Sequence, residues 1–228
     1  MRIIDFEKLP TEFKNDEVKH YYDYLSNKKT SLFFKRVFDI VFSLAFILLF
    51  SWAYLIIALA VTIDSGFPII YKQKRITTYG KEFNVFKFRT MVKNADKIGT
   101  LVTVDNDSRI TKVGAFLRKY RLDELPQIFN VLGGSMSFVG VRPEVQKYVS
   151  AYTPEMYATL LLPAGVTSPA SIAFKDEAEL LEGSTDPDAT YVNEILPKKM
   201  VYNFQYIKTF SFIEDIKIIF KTITEVFR

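Results

Sequence analysis

The sequence has no cysteine and a single histidine, His20. Without thiols there is no disulfide framework, no thiolate nucleophile and no cysteine-based zinc site. With one imidazole, in a polar N-terminal stretch, a histidine triad, an HExxH metal site or an imidazole acid–base pair would each rest on one peripheral residue. A strong charge of either sign is also missing: 30 basic residues face 26 acidic ones, for a formal net charge of +4. So mild a surplus excludes no partner class, though it suits anionic lipid or phosphorylated substrates. Carboxylates, Lys, Arg and Tyr are left, so an enzyme built from this chain works with carboxylates.

Apolar residues are plentiful: 49% of the chain is hydrophobic and 15% aromatic, with 21 phenylalanines. That is rich for a soluble domain and points to lipid contact. A chain of 228 residues buries one good core and can carry an appended segment. Residues 1–32 read as a polar N-terminal extension. Within it Val18, Tyr21, Tyr22 and Leu25 recur at helical spacing after Asn15, a suitable N-cap followed by Asp16 and Glu17. The plainer reading is a short amphipathic helix packed on the main domain.

Residues 33–63 read as a membrane-embedded helix. From Val37 to Ile63 the only charge is Asp39, and about 20 apolar residues suffice to cross a bilayer. The segment starts too late for a cleaved signal peptide and has no small-residue cleavage site. Lys28, Lys29, Lys35 and Arg36 precede it; Lys72, Lys74, Arg75 and Lys81 follow it. A spanning helix normally shows its basic excess on one side, so two basic flanks suit a re-entrant segment. Ser51, near the midpoint, offers a hydroxyl to a buried turn, but Trp52 stands where a helix breaker is expected. Re-entry and a straight span both remain open on these grounds.

Residues 64–228 read as a cytoplasmic catalytic domain of α+β class, mostly helical with a small β-hairpin. Phe67–Tyr71 and Phe83–Met91 are runs of strand formers separated by a turn at Thr77–Gly80. Val85, Lys87 and Arg89 share one strand face, where two cations either hold phosphates or are simply solvated. Residues 111–132 are helical with a break at Asp123-Glu124-Leu125-Pro126. Pro126 suits the first turn of a new helix, and Gly133-Gly134 ends it. Over 203–227 Phe204, Ile207, Phe210, Ile213, Ile216, Phe220, Ile223 and Phe227 form one stripe, either an interfacial amphipathic helix or one packed on the core.

Asp123 and Glu124 are adjacent at a helix start and point in different directions, so they do not form a face-to-face dyad. As a pair alone their plainer role is to cap the helix and offset its dipole. Arg118 and Arg121 upstream and Arg142 downstream add forked donors suited to a diphosphate.

Lys87-Phe88-Arg89-Thr90-Met91, Leu122-Asp123-Glu124-Leu125-Pro126-Gln127 and Met136-Ser137-Phe138-Val139-Gly140-Val141-Arg142-Pro143-Glu144 resemble the bacterial sugar transferases, the monotopic polyprenyl-phosphate phosphoglycosyl transferases. Lys35-Arg36-Val37-Phe38-Asp39, Gln73-Lys74-Arg75 and Pro163-Ala164-Gly165-Val166-Thr167 match as well, in order, over roughly residues 33–175. The resemblance implies that Asp123 is the nucleophile toward the β-phosphate of a UDP-sugar, with UMP leaving and undecaprenyl phosphate taking the sugar phosphate. It implies Glu124 as the Mg²⁺ carboxylate, and Arg118, Arg142, Lys87 and Arg89 as residues around the phosphates. It also implies the cytoplasmic face of a bacterial inner membrane, contact with membrane lipid and no nucleic-acid partner, and it leaves a homo-oligomer open.

Several positions depart from the family pattern. Trp52 stands for the usual proline of the membrane segment, Thr77 for a glycine, Ser135 for an acidic residue, Val141 for a proline and Ser168 for a glycine. None removes a catalytic group. The alternatives are a catalytically silent membrane scaffold and a glycosyltransferase releasing UDP; UMP as product separates all three.

Overall fold

The computed structural model describes residues 1, 3–95, 107–177, 180, 184 and 186–226. Asn15 accepts a hydrogen bond from the Val18 amide at 2.8 Å and opens α1, Asp16–Ser26. The buried stripe of α1 is Val18, Tyr21 and Leu25. These join Leu9 and Phe13 in the main hydrophobic cluster, against Leu160, Leu161, Tyr206, Ile207 and Phe210. The N-terminal helix thus packs on the main body.

Helix α2 runs unbroken over Lys29–Ser65, 37 residues, starting four residues before the expected segment 33–63 and ending two after it. If straight, it is about 55 Å long, and it is long and apolar enough to cross a membrane. No break occurs at Ser51-Trp52; the Ser51 hydroxyl donates to the Leu48 carbonyl within the helix at 3.1 Å. With no proline there, every amide keeps its helical acceptor.

Both ends of α2 are tied to the same body. Near its start, Lys35 donates to the Val139 carbonyl and to Asp215, and Arg36 donates to the carbonyls of Val131 and Leu132. Asp39, 1% exposed, accepts from the Ser137 hydroxyl and the Phe138 amide. Near its end, the Tyr54 hydroxyl donates to the Leu125 carbonyl, Val61 packs on Phe88 and Leu117, and Asp64 accepts from the Val113 amide. Between these attachments Leu48, Leu49 and Trp52 are 76%, 66% and 61% exposed.

Strands β1 (Ile70–Ile76) and β2 (Glu82–Phe88) form the expected antiparallel hairpin, with Ile70 opposite Phe88 and Ile76 opposite Glu82. The first strand begins later than the apolar run Phe67–Tyr71 suggests. Register is dictated by the turn, so the charged stretch Lys72–Arg75 becomes strand and Phe67-Pro68 stays outside it. Thr77, in the turn, is buried. Its hydroxyl donates to the Ser135 carbonyl and accepts from the Ala164 amide.

After the hairpin come α3 (Lys112–Lys119), a single 3₁₀ turn at Leu122–Glu124, and α4 (Gln127–Gly133). Pro126 sits at the α4 entrance, and Gly134, at φ 85°, closes it in the left-handed region that glycine enters without steric cost. A second sheet is absent from the sequence reading: β3 (Met136–Val139) pairs in parallel with β4 (Ala164–Thr167). Each strand is only four residues long, too short for a periodic signal. Gly140 and Gly165 pass so closely that a Cβ on Gly165 would lie 2.2 Å from the Gly140 backbone.

Short helices α5 (Gln146–Val149), α6 (Pro169–Ala173) and α7 (Pro187–Thr190) follow, then a π-turn at Tyr191–Ile195, α8 (Leu196–Lys208) and α9 (Phe212–Val226). The stripe over 203–227 is therefore two helices, and Phe227 lies outside the described residues. Ser211 breaks it: its hydroxyl accepts from the Glu214 amide, a Ser-x-x-Glu start signal. Ile207 and Phe210 are buried, while Ile213, Phe220 and Ile223 on α9 are exposed.

Candidate active site

Asp123 is carried on the 3₁₀ turn between α3 and α4. Arg121 precedes it at φ 53°, a left-handed conformation that strains a side chain with a Cβ and reverses the chain after α3. Leu122 and Leu125 on either side pack beside Val61, Phe88 and Leu117, and Tyr54 of α2 holds the Leu125 carbonyl at 2.8 Å. The long helix thereby sets the height of the acidic turn.

The turn opens onto a cavity of about 450 Å³, within the usual range for small-molecule sites. Lys87, Arg89, Arg118 and Asp123 line it, with Gln73 and Arg75 from β1 and with Pro68, Tyr71 and Val92 among its apolar lining. A smaller cavity, lined by Gln127, Arg142 and Pro143, shares Gln73, Arg75 and Lys87 with it. The structure therefore gathers Lys87, Arg89, Arg118, Arg142, Asp123 and Glu124 around two adjoining cavities.

The two acids sit in opposite environments. Glu124 Oε1 accepts from Lys87 at 2.8 Å and from Arg142 at 3.2 Å. Burial works to raise its pKa, but Arg142 and Lys87 outweigh burial and hold the carboxyl well below the usual carboxylate range. Asp123 accepts no hydrogen bond from another side chain among the described residues. Burial pushes its pKa up, and the neighbouring Glu124 charge adds to the rise against the pull of Lys87 and Arg118. Two adjacent carboxyls driven apart in this way are suited to different jobs.

Arg118 donates through Nε to the Thr90 hydroxyl at 2.9 Å, which orients its fork beside Asp123. Burial lowers its pKa from the ordinary value, yet a guanidinium remains charged. Arg89 is placed otherwise than a surface phosphate ligand. It is 5% exposed and donates to the Ser65 hydroxyl and to the carbonyls of Ser65 and Gly66, capping the end of α2.

Among the described residues there is no group of three or more His, Cys, Asp or Glu side chains arranged for a metal. Mg²⁺ commonly takes only one or two carboxylates and completes its shell with water and phosphate oxygens. Glu124 Oε2, which makes no hydrogen bond among the described residues, and the adjacent Asp123 fit that pattern.

Motif spacing alone does not find a further cluster behind Arg142. Glu144 accepts from Tyr191 and from Lys199, lies 3.9 Å from Arg75, and Lys199 also pairs with Glu177 at 2.9 Å. Tyr191, on the π-turn, and Lys199 come from the C-terminal third. Their only sequence signal is a lysine falling among the buried positions of α8.

The sequence profile described as Bacterial sugar transferase matches residues 30–228. The chain is 36% identical over 196 residues to the UDP-N-acetylgalactosamine-undecaprenyl-phosphate N-acetylgalactosaminephosphotransferase of Aeromonas hydrophila, covering 84% of this chain and 43% of that protein. It is 39% identical over 194 residues to the UDP-glucose:undecaprenyl-phosphate glucose-1-phosphate transferase of Escherichia coli K12, covering 83% and 39%. With the undecaprenyl-phosphate galactose phosphotransferase of Salmonella typhimurium it shares 35% identity over 216 residues, covering 88% and 42%. The chain thus spans about two fifths of the length of these relatives.

Proposed function

The chain belongs to the bacterial sugar transferase family, and on that premise we propose that it moves a sugar 1-phosphate from a UDP-sugar to undecaprenyl phosphate through a phosphosugar carried on Asp123. The observation that carries this reading is the pairing of a buried Asp123, which accepts no hydrogen bond from another side chain among the described residues, with a cation-bound Glu124 beside a cavity rich in basic residues.

In the first half-reaction an Asp123 carboxylate oxygen attacks the β-phosphorus of the donor. A new P–O bond forms to Asp123, the bond from phosphorus to the bridging oxygen breaks, and UMP leaves with that electron pair. In the second, an oxygen of the lipid phosphate attacks the same phosphorus and the aspartyl P–O bond breaks. Lipid-diphosphate-sugar is formed and the Asp123 carboxylate is restored. Carboxylates are established covalent nucleophiles at phosphorus.

Phosphoryl transfer asks the protein chiefly for alignment and charge neutralisation. Arg118, Lys87 and Arg142 provide forked and point charges for the donor's diphosphate. No residue has to remove a proton from an ionised phosphate acceptor, which agrees with a site lacking histidine. A bound Mg²⁺, held by Glu124 with the substrate's oxygens, would supply further charge neutralisation at the phosphates.

The reading places the enzyme at the cytoplasmic face of a bacterial inner membrane. Attachment of both ends of α2 to one body counts against crossing, because a crossing helix leaves one end on the far side, while the unbroken helix has no turn at Ser51-Trp52 where a re-entrant segment would reverse. The exposed apolar face of α9 is an interfacial surface in the same reading. The three relatives are named for three different sugars, and the donor is proposed only as a UDP-sugar. Purified protein given Mg²⁺, a panel of UDP-sugars and undecaprenyl phosphate is expected to release UMP and to form lipid-linked sugar diphosphate. Release of UDP, or full activity in Asp123→Asn, would overturn the mechanism.

A further inference from the structure

Arg89 lines the cavity but contacts neither acidic residue. Its Nε and Nη2 are engaged by Ser65 and Gly66 at the end of α2. Its Nη1 is buried and makes no hydrogen bond among the described residues. An orphaned charged donor is rare in a folded core and calls for an acceptor. Phosphate oxygens are the acceptors a guanidinium fork matches best.

The cavity that Arg89 lines has apolar lining as well as basic residues. Pro68, Tyr71, Met91 and Val92 line it, and Val92 is 42% exposed. Phe67, next to Pro68, is 69% exposed, and Ile63, on the last turn of α2, is 78% exposed. The exposed apolar surface of the long helix therefore reaches the rim beside Arg89. Lys87 and Arg142, by contrast, are both bonded to Glu124.

We propose that this rim is the entry for the acceptor: a long-chain lipid phosphate comes off the α2 surface over Ile63 and Phe67 and places its phosphate on Arg89. The assignment rests on the transferase reading above and divides its cations. Lys87 and Arg142 face the donor's diphosphate, and Arg89 receives the lipid phosphate on the way to Asp123. Arg89 then holds the helix end and the incoming phosphate at once, so the acceptor is delivered at a fixed distance from the apolar anchor.

The absence of cysteine makes the test direct. Phe67→Cys gives the detergent-solubilised full chain a single thiol for an environment-sensitive fluorophore, and farnesyl phosphate serves as probe. Titration is expected to shift the emission, with farnesol and inorganic phosphate each binding at least about tenfold more weakly. Adding Arg89→Gln is expected to weaken farnesyl phosphate about tenfold. Val92→Glu, on the exposed rim and away from the helix cap, is expected to weaken it several-fold through lost apolar contact and charge repulsion.

Equal binding of farnesol, equal competition by inorganic phosphate, or unchanged affinity in both variants would overturn the assignment. UMP release by the wild-type chain is measured alongside. No UMP from any UDP-sugar defeats the transferase reading, whereas normal UMP release with unaltered probe binding in the variants defeats only the acceptor entry.

Discussion

Two clusters of buried carboxylates and cations sit at opposite ends of the long helix, built from the same residue types and put to different uses. At the start of α2, Lys35 bonds the Val139 carbonyl at 2.6 Å and Asp215 at 2.7 Å, Tyr206 donates to Asp215, and Asp39 is held by Ser137 and Phe138. Lys35 and Asp215 pair directly, and Asp39 accepts both its hydrogen bonds through Oδ1, with Oδ2 buried and unpartnered among the described residues. Around Asp123 the ions instead open onto a cavity of about 450 Å³ lined by Arg75, Lys87, Arg89, Lys93, Arg109 and Arg118 with Asp123, and Asp123 accepts no side-chain hydrogen bond among the described residues. A closed cluster of ions fixes where elements meet. An open one with surplus positive charge is made to receive an anion.

The largest contrast is expected from Asp123→Asn. UMP release should fall by about 10³-fold or more, while thermal unfolding shows stability unchanged or raised, because a buried charge without a direct partner is removed. An equally large loss of stability would put Asp123 in the closed class. Lys35→Met should behave in the reverse sense. It is expected to cost about 3–5 kcal/mol in chemical denaturation by stranding Asp215, with KM for the donor kept in the molecules that remain folded.

Glu124→Gln falls between the two. Rate loss of about 10–100-fold and a stability loss of about 1–3 kcal/mol are expected, together with a weaker response of activity to added Mg²⁺. The pH dependence separates the two acids. Asp123 must be ionised to attack, and its pKa is raised, so the acid limb of the kcat/KM profile should lie above the ordinary carboxylate value of about 4.

For stability the signs are opposite. Asp123 binds its proton more tightly when folded, so its contribution is fully present below its unfolded pKa and is lost as pH rises through the raised folded value. Glu124, whose pKa is lowered, contributes above its unfolded pKa and loses that contribution as pH falls through the folded value. Melting temperature against pH in the wild type, Asp123→Asn and Glu124→Gln resolves the two. The smallest effect is expected from Tyr54→Phe, about 0.5–1.5 kcal/mol for one lost hydrogen bond, read by denaturation; its kcat should fall too if the Leu125 contact sets the acidic turn.

Much of this was legible in the residues. The hairpin, the break before Pro126, the Gly134 stop and the N-terminal helix follow from local rules of turn chemistry, capping and period. Other features were hidden. The stripe over 203–227 reads as one helix because its apolar spacing continues across Ser211, and only the capping hydroxyl shows the break. Lys87 and Arg89 share a strand face and read as equivalent, yet the first is bound to Glu124 and the second to the end of α2. Asp39 reads as the one charge in an apolar run, and only the fold shows its carboxylate buried against Ser137 and Phe138.

The chemical vocabulary follows from the residues alone: carboxylates without thiols or a usable imidazole, a long apolar helix, and ordered motifs around Asp123-Glu124. Composition and short-range pattern suffice for these because they depend on which groups exist and on neighbours within a few residues. Folding in three dimensions makes the two adjacent acids unlike, returns both ends of α2 to one body, and joins the helix to the cavity through Arg89. Those facts depend on burial and on partners 18 to 180 positions away along the chain. A carboxylate's pKa and a cation's role follow from what surrounds them in space, which spacing along the chain does not encode.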